Sequence, residues 1–178
     1  MQSIKQFRLP SKQKGLTLIE ASVWFVIFAL VIAGALKMWN NVSSSQTSTE
    51  MTSDVVALRS AMQQLYSGQG SYGAANVNNT LAIANKIPTS IKVNTTTNPY
   101  TLTNQQNGTI NIVGNGTTFG ITTTNISADV CTDLVSGLAN QGFISISVNG
   151  SALALPPTPS TASAACAAAP NAIALTSN

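Results

Sequence analysis

Residues Leu16 to Leu36 form a predominantly apolar run of 21 positions that contains one ionisable residue, Glu20. At ~1.5 Å per residue this is about 31 Å of helix, which matches the ~30 Å hydrocarbon core of a bilayer. No other stretch of the 178 residues constrains the fold as strongly. The run requires lipid, or a protein environment that imitates lipid. Glu20 breaks the pattern. A carboxylate at membrane depth costs roughly 2.5 to 3.5 kcal/mol on insertion scales, so an acid kept there is a functional candidate.

Four basic residues precede the run: Lys5, Arg8, Lys12 and Lys14. Gly15 follows, then Leu16, and Glu20 stands five positions after the glycine. This arrangement, over residues 12 to about 38, resembles the N-terminus of type IV prepilins and pseudopilins. The resemblance implies cleavage by a prepilin peptidase between Gly15 and Leu16, N-methylation of Leu16, and an assembly role for Glu20. A Leu start and a 15-residue leader resemble the type IVb branch. Two other readings compete. A secretory signal peptide would use Ala33-Gly34-Ala35 as a cleavage site, but the apolar run exceeds the usual 7 to 15 residues. A plain single-span anchor gives Glu20 no purpose.

The formal charge of +3 misleads about partners. Half of the eight basic residues lie in the leader, which has no acid. The remainder carries four basic against five acidic residues, a net of −1. The leader charge therefore sets orientation, with the N-terminus in the cytoplasm and the C-terminal part across the membrane. It is no sign of a nucleic-acid site.

Beyond the apolar run, Met51, Val55, Leu58, Met62 and Leu65 recur at spacings of 4, 3, 4 and 3, one face of an amphipathic helix. Glu50, Asp54, Arg59 and Gln63 are read as lying off that face. One helix is predicted from about Leu16 to Tyr66, ended by Gly68, Gly70 and Gly73. Gly34 and Ser43-Ser44-Ser45 weaken it locally, so a bend or melting between Ala33 and Ser45 is expected in a filament. Residues 74–98 read as a polar connecting loop with a short helical piece at Leu81–Lys86. Asn98-Pro99-Tyr100 turns into the first strand. Ile110 and Ile112, then Gly114-Asn115-Gly116, then Phe119 and Ile121, predict a hairpin. Ser127-Ala128-Asp129 starts a helix running to about Asn140, closed by Gly142. Alternation from Ile144 to Val148 and the Asn149-Gly150 turn give a second hairpin reaching Ala152–Leu155. Pro156–Ala169 reads as irregular.

The fold class expected is α+β: a long N-terminal helix packed against a small antiparallel sheet domain with a cysteine-bounded C-terminal region. The domains are a leader (1–15), a membrane or filament-core half-helix (16–38), an amphipathic half-helix (39–66) and a globular head (67–178). Cys131 and Cys166 can form a disulfide in an oxidising compartment. Two free buried thiols are the alternative. No cofactor or metal is expected, since two cysteines without any histidine cannot complete a metal site. Enzymatic activity is not expected either. Asp129 and Asp133 are the only acids outside the long helix, and no nucleophile or cation accompanies them.

The resemblance implies a major structural pilin of a type IVb pilus. Its partners would be copies of itself, the prepilin peptidase and methyltransferase, and the assembly machinery of the inner membrane. The subunit would start in that membrane and end in an extracellular fibre serving adhesion, aggregation or conjugation. The alternatives are a pseudopilin of a secretion system and a membrane-anchored periplasmic binding module.

Overall fold

A computed structural model describes residues 18–178 of the chain. Helix α1 runs Leu18–Leu65. The chain divides into two units, residues 1–40 and 41–178. In the first unit the stretch Ile19–Leu36 is long and apolar enough to cross a membrane, and none of it is buried. Trp24, Phe25, Phe28 and Val31 are all exposed, as expected of a helix apolar on every side, which needs lipid or copies of itself as its surroundings.

The second unit is built on the remainder of α1. Met51, Val55, Leu58, Ala61 and Met62 of that helix are buried. The apolar stripe therefore packs into the chain's own core. Burying one such side chain fully is worth about 1.5–3 kcal/mol. Gly68, at φ 85°, follows the helix end. Tyr66, Tyr72 and Phe119 then stack in sequence, with ring centroids 5.4 and 4.7 Å apart, and tie the helix exit to the sheet.

Eight more helices and strands precede the last two elements. They are α2 (Asn78–Ile83), β1 (Lys92–Asn94), β2 (Thr101–Thr103), β3 (Thr109–Asn115), β4 (Thr118–Ile126), α3 (Ala128–Leu138), β5 (Ser145–Val148) and β6 (Ser151–Ala152). The chain ends with α4 (Pro159–Ala165) and β7 (Asn171–Ser177). The seven strands form one sheet in the order β1-β2-β3-β4-β7-β5-β6. Every pairing is antiparallel. The last strand in sequence thus lies inside the sheet, between β4 and β5. Alternate residues Ile110, Ile112, Phe119, Ile121, Ile146, Val148, Ile173 and Leu175 join the buried cluster with α1 and α3. The intervening positions carry mostly Thr, Ser, Asn and Ala.

Both predicted hairpins form, the second with a return strand of Ser151–Ala152 in place of the expected Ala152–Leu155. Asn149 (φ 51°) and Gly150 (φ 82°) are the two central residues between β5 and β6, and both have the positive φ that a type I′ turn requires. The β3–β4 loop reduces to Gly116 and Thr117, since Asn115 pairs with Thr118. The helix that begins after Ser127 runs to Leu138.

Four expectations are corrected. Pro156–Ala169 is not irregular throughout, because α4 occupies its middle. Thr158 and Thr161 form a capping box, and Pro159 sits at the first helical position, where its missing N–H costs nothing. The connecting loop 74–98 contains strand β1. The short helix begins at Asn78 rather than Leu81, because the Asn76 side chain accepts the Asn78 N–H and starts the turn there. Asp54 does not lie off the packed face: it is 7% exposed.

Candidate functional site

Of the predicted site residues, Gly15 and Leu16 lie outside the described residues. Glu20 lies in the first turn of α1 and is exposed. An acid there is favoured by the partial positive charge of a helix N-terminus. Within Ile19–Leu36 Glu20 is the one ionisable residue, so the helix presents one carboxylate on a predominantly apolar cylinder.

The two cysteines meet. Cys131 on α3 and Cys166 at the C-terminal cap of α4 form a disulfide with a Cα–Cα distance of 5.7 Å. Both are fully buried. The bond fixes α4 to α3, while the Asn171 side chain donates to the Cys166 carbonyl (3.1 Å) and the Ile126 carbonyl (3.3 Å). The loop it closes spans a sequence separation of 35. In the chain-entropy account such a loop is worth about 3 to 4 kcal/mol. The double variant Cys131→Ser, Cys166→Ser is therefore expected to melt roughly 10 °C lower, as followed by circular dichroism of the full chain in detergent.

Asp129 and Asp133, the candidate pair of acids, serve the helix junction. Asp129 lies in the first turn of α3. Hydrogen bonds from Ser127 and then Ser44 hold its carboxyl below the usual 3.8; burial opposes them, and the backbone N–H groups of Val130 and Asp129 add smaller lowering contributions. The folded state therefore binds this proton less readily than the unfolded chain. Its stabilising contribution is complete above about pH 3.8 and is lost as pH falls through the lower folded value. Asp129→Asn should lower the melting temperature at neutral pH, with the gap to the unsubstituted protein closing in melts below pH 3.8. Asp133 accepts from Ser48 Oγ at 3.4 Å. Among the described residues no three of the types that ligate metal ions come together.

Sequence reasoning missed two junctions. The buried Asp54 carboxylate accepts from Ser90 Oγ (2.5 Å) on one oxygen and Gln105 Nε2 (2.8 Å) on the other. It links α1 to the segment before β1 and to the β2–β3 turn. A signal existed: Asp54 falls three positions after Met51 and four before Leu58, within the stripe. On the other side of α1, Arg59 Nε donates to Ser177 Oγ at 2.7 Å, and its guanidinium lies 5.5 Å from the centre of the Phe143 ring. Gly142, at φ 76°, leaves room for it, since a Cβ there would meet the guanidinium at 3.0 Å.

A helix with an all-round apolar first part, an antiparallel sheet packed on its later part and a disulfide-bounded C-terminal region together define a pilin-type subunit. Comparison with known proteins makes this specific. The family described as PilS N terminal matches residues 44–178. The major structural subunit of the bundle-forming pilus of Escherichia coli O127:H6 is 32% identical over 138 residues, which cover 74% of this chain and 69% of the relative. The same subunit of Escherichia coli O111:H- matches to the same extent. Two solved structures share the fold. The type IVb pilin of Salmonella typhi superposes with a TM-score of 0.62 at 21% identity, covering 71% of this chain and 97% of that one. TcpA, a type IV pilin of Vibrio cholerae El Tor, gives 0.53 at 19% identity, covering 75% and 99%. The chain belongs to the type IVb pilin family.

Proposed function

We propose that the chain is the major structural subunit of a type IVb pilus: a non-enzymatic protein that polymerises with copies of itself into a surface filament. The observation that carries this reading is the 32% identity to major pilus subunits across 74% of the chain. The N-terminal pattern supports it independently. Leader residues 1–15 hold the new chain in the inner membrane with its N-terminus in the cytoplasm. Prepilin peptidase then cuts between Gly15 and Leu16, and Leu16 is N-methylated. Cleavage removes the four leader charges and leaves an amine at a helix start.

The units then follow from the sequence: 16–38 lies in lipid and later in the filament core, 39–66 backs the sheet, and 67–178 forms the head. In a core of low dielectric an unpaired charge is costly. Glu20 pairs with the amine of a neighbouring subunit and so fixes the docking register. Head-to-tail contacts that do not close give a helical polymer. The inner-membrane assembly machinery supplies the work, because nothing in the chain resembles a nucleotide-binding loop.

The test is electron microscopy of material sheared from cells that express the chain with its assembly machinery, with the fibre protein identified by mass spectrometry. Surface fibres made of this chain are expected. Subunits confined to the periplasm, with no surface fibre, would favour a pseudopilin or a simple anchored module instead.

A further inference from the structure

Three Asn-Gly pairs occur in the chain: Asn107-Gly108, Asn115-Gly116 and Asn149-Gly150. All three asparagines are exposed. Such a pair carries a reaction of its own that needs only water. The glycine nitrogen attacks Cγ of the asparagine side chain and gives up its proton. The Cγ–Nδ2 bond breaks and the side-chain nitrogen leaves as ammonia. The product is a five-membered cyclic imide, which water opens on either side. Opening at Cγ gives aspartate. Opening at the main-chain carbonyl gives isoaspartate, in which the main chain runs through the side chain and is one carbon longer. Glycine permits the attack because no Cβ shields its nitrogen. The fold decides which pair reacts, because the side-chain amide and the attacking nitrogen must both be released by local opening.

Two of the pairs are held. At Asn149 both ends of the side-chain amide are engaged: Nδ2 donates to Asn171 Oδ1 at 2.8 Å, and Oδ1 accepts from the Ala172 N–H at 2.9 Å. At Asn107 the attacking nitrogen is the engaged group. The Gly108 N–H donates to Asn104 Oδ1 at 2.8 Å, and Gly108 is buried against the Thr124 carbonyl. Freeing it means undoing a buried turn.

Asn115 stands differently. It ends β3, and its main-chain carbonyl accepts from Thr118 Oγ1 at 3.1 Å. Among the described residues no hydrogen-bond partner holds its side-chain amide. A Cβ on Gly116 would meet nothing within 4 Å, so the imide ring has room. The Gly116 N–H donates to the Gly73 carbonyl at 2.8 Å, and both glycines are exposed. Opening that single bond uncovers no buried group.

We infer that Asn115 is a self-modifying site, which converts to aspartate and isoaspartate in the folded chain while Asn107 and Asn149 persist. The chemistry does not depend on filament assembly. Its place in the fold gives it a consequence. Gly116 fastens the exit of α1 to the sheet: its carbonyl accepts from the Tyr72 N–H at 2.7 Å and from Ser71 Oγ at 3.1 Å, in addition to the bond to Gly73. Tyr72 in turn stacks between Tyr66 and Phe119. An extra main-chain carbon beside Gly116 moves it off these partners. Either product also places a negative charge in a hairpin, residues 109–126, that has none.

The experiment is peptide mapping by mass spectrometry of the purified full chain, kept folded in detergent in neutral buffer and sampled over weeks. Conversion reads as a gain of about 1 Da, and isoaspartate is distinguished by enzymatic methylation of its carboxyl. Asn115 should convert roughly tenfold or more faster than Asn107 and Asn149, and in denaturant the three rates should draw to within about threefold. Equal rates in the folded chain, faster conversion at either other site, or the same ranking in denaturant would overturn the inference. A second measurement tests the consequence. Once most of the site has converted, the aged chain should melt below the fresh one, while Asn115→Gln, whose longer side chain closes the ring far more slowly, should melt alike fresh and aged. An aged, converted chain that melts as the fresh one does would overturn the fastening role.

Discussion

Glu20→Ala is expected to abolish filament growth while making the monomer a better membrane protein. The two effects have opposite signs, which makes the substitution informative. Removing a carboxylate from the apolar run saves roughly 2.5 to 3.5 kcal/mol of insertion cost. A chain that used this helix only as an anchor would gain from the change. In the filament reading the substitution leaves the amine of a neighbouring subunit in the core without its partner. Breaking a buried pair in this way costs about 3–5 kcal/mol, or more than a hundredfold in each docking equilibrium. The measurement is filament yield in the sheared fraction against subunit level in the membrane fraction. Loss of the first with the second maintained is predicted. Equal loss of both would point to a folding defect and count against the assembly role.

Gly108→Ala should be the most damaging single-methyl change in the head. Gly108 is buried in the β2–β3 turn, where its N–H donates to Asn104 Oδ1 at 2.8 Å. A Cβ at this position would lie 1.7 Å from the Thr124 carbonyl oxygen and 2.5 Å from its carbon. Those atoms are backbone of β4, so no side chain can rotate away. The turn must move, and the Asn104 network moves with it: Asn104 Nδ2 donates to Thr123 Oγ1 and to the Thr124 carbonyl, both at 2.9 Å. A cost of at least about 4 kcal/mol is expected, in the range where strain and broken buried networks fall. Gly120→Ala provides the control. It also lies in β4, but its added methyl would meet only the Leu175 carbonyl oxygen at 3.7 Å, an ordinary contact. Thermal melts of the two variants should therefore differ widely, and similar melts would contradict this account.

Much of the head could be read from the sequence where one face decided the pattern. The stripe Met51, Val55, Leu58, Met62 is apolar on one side only, so its spacing fixed both the element and its buried face. Asn149-Gly150 required positive φ twice and hence a tight turn. The failures have physical causes as well. Pro156, Pro157 and Pro159 obscured α4, although Pro159 stands where a helix tolerates proline and the alanines that follow it favour helix. Strand β7 is hard to read from the sequence because Ala172 and Ala174 occupy its outer positions, which dulls the alternation with Ile173 and Leu175. Its partners β4 and β5 are also distant in sequence, so no local hairpin signal marks it. The cysteine pairing was legible only as a chemical possibility; bringing α3 and α4 together depends on that unread helix. Gly15, Leu16 and Glu20 rest on the N-terminal pattern itself.

The most direct measurement is the intact mass and N-terminal residue of the mature protein, isolated from cells that contain the matching peptidase. The mature chain is expected to begin at N-methyl-Leu16, with residues 1–15 gone. A start near Leu36, or an intact Met1, would contradict cleavage between Gly15 and Leu16 and the assembly route built on it.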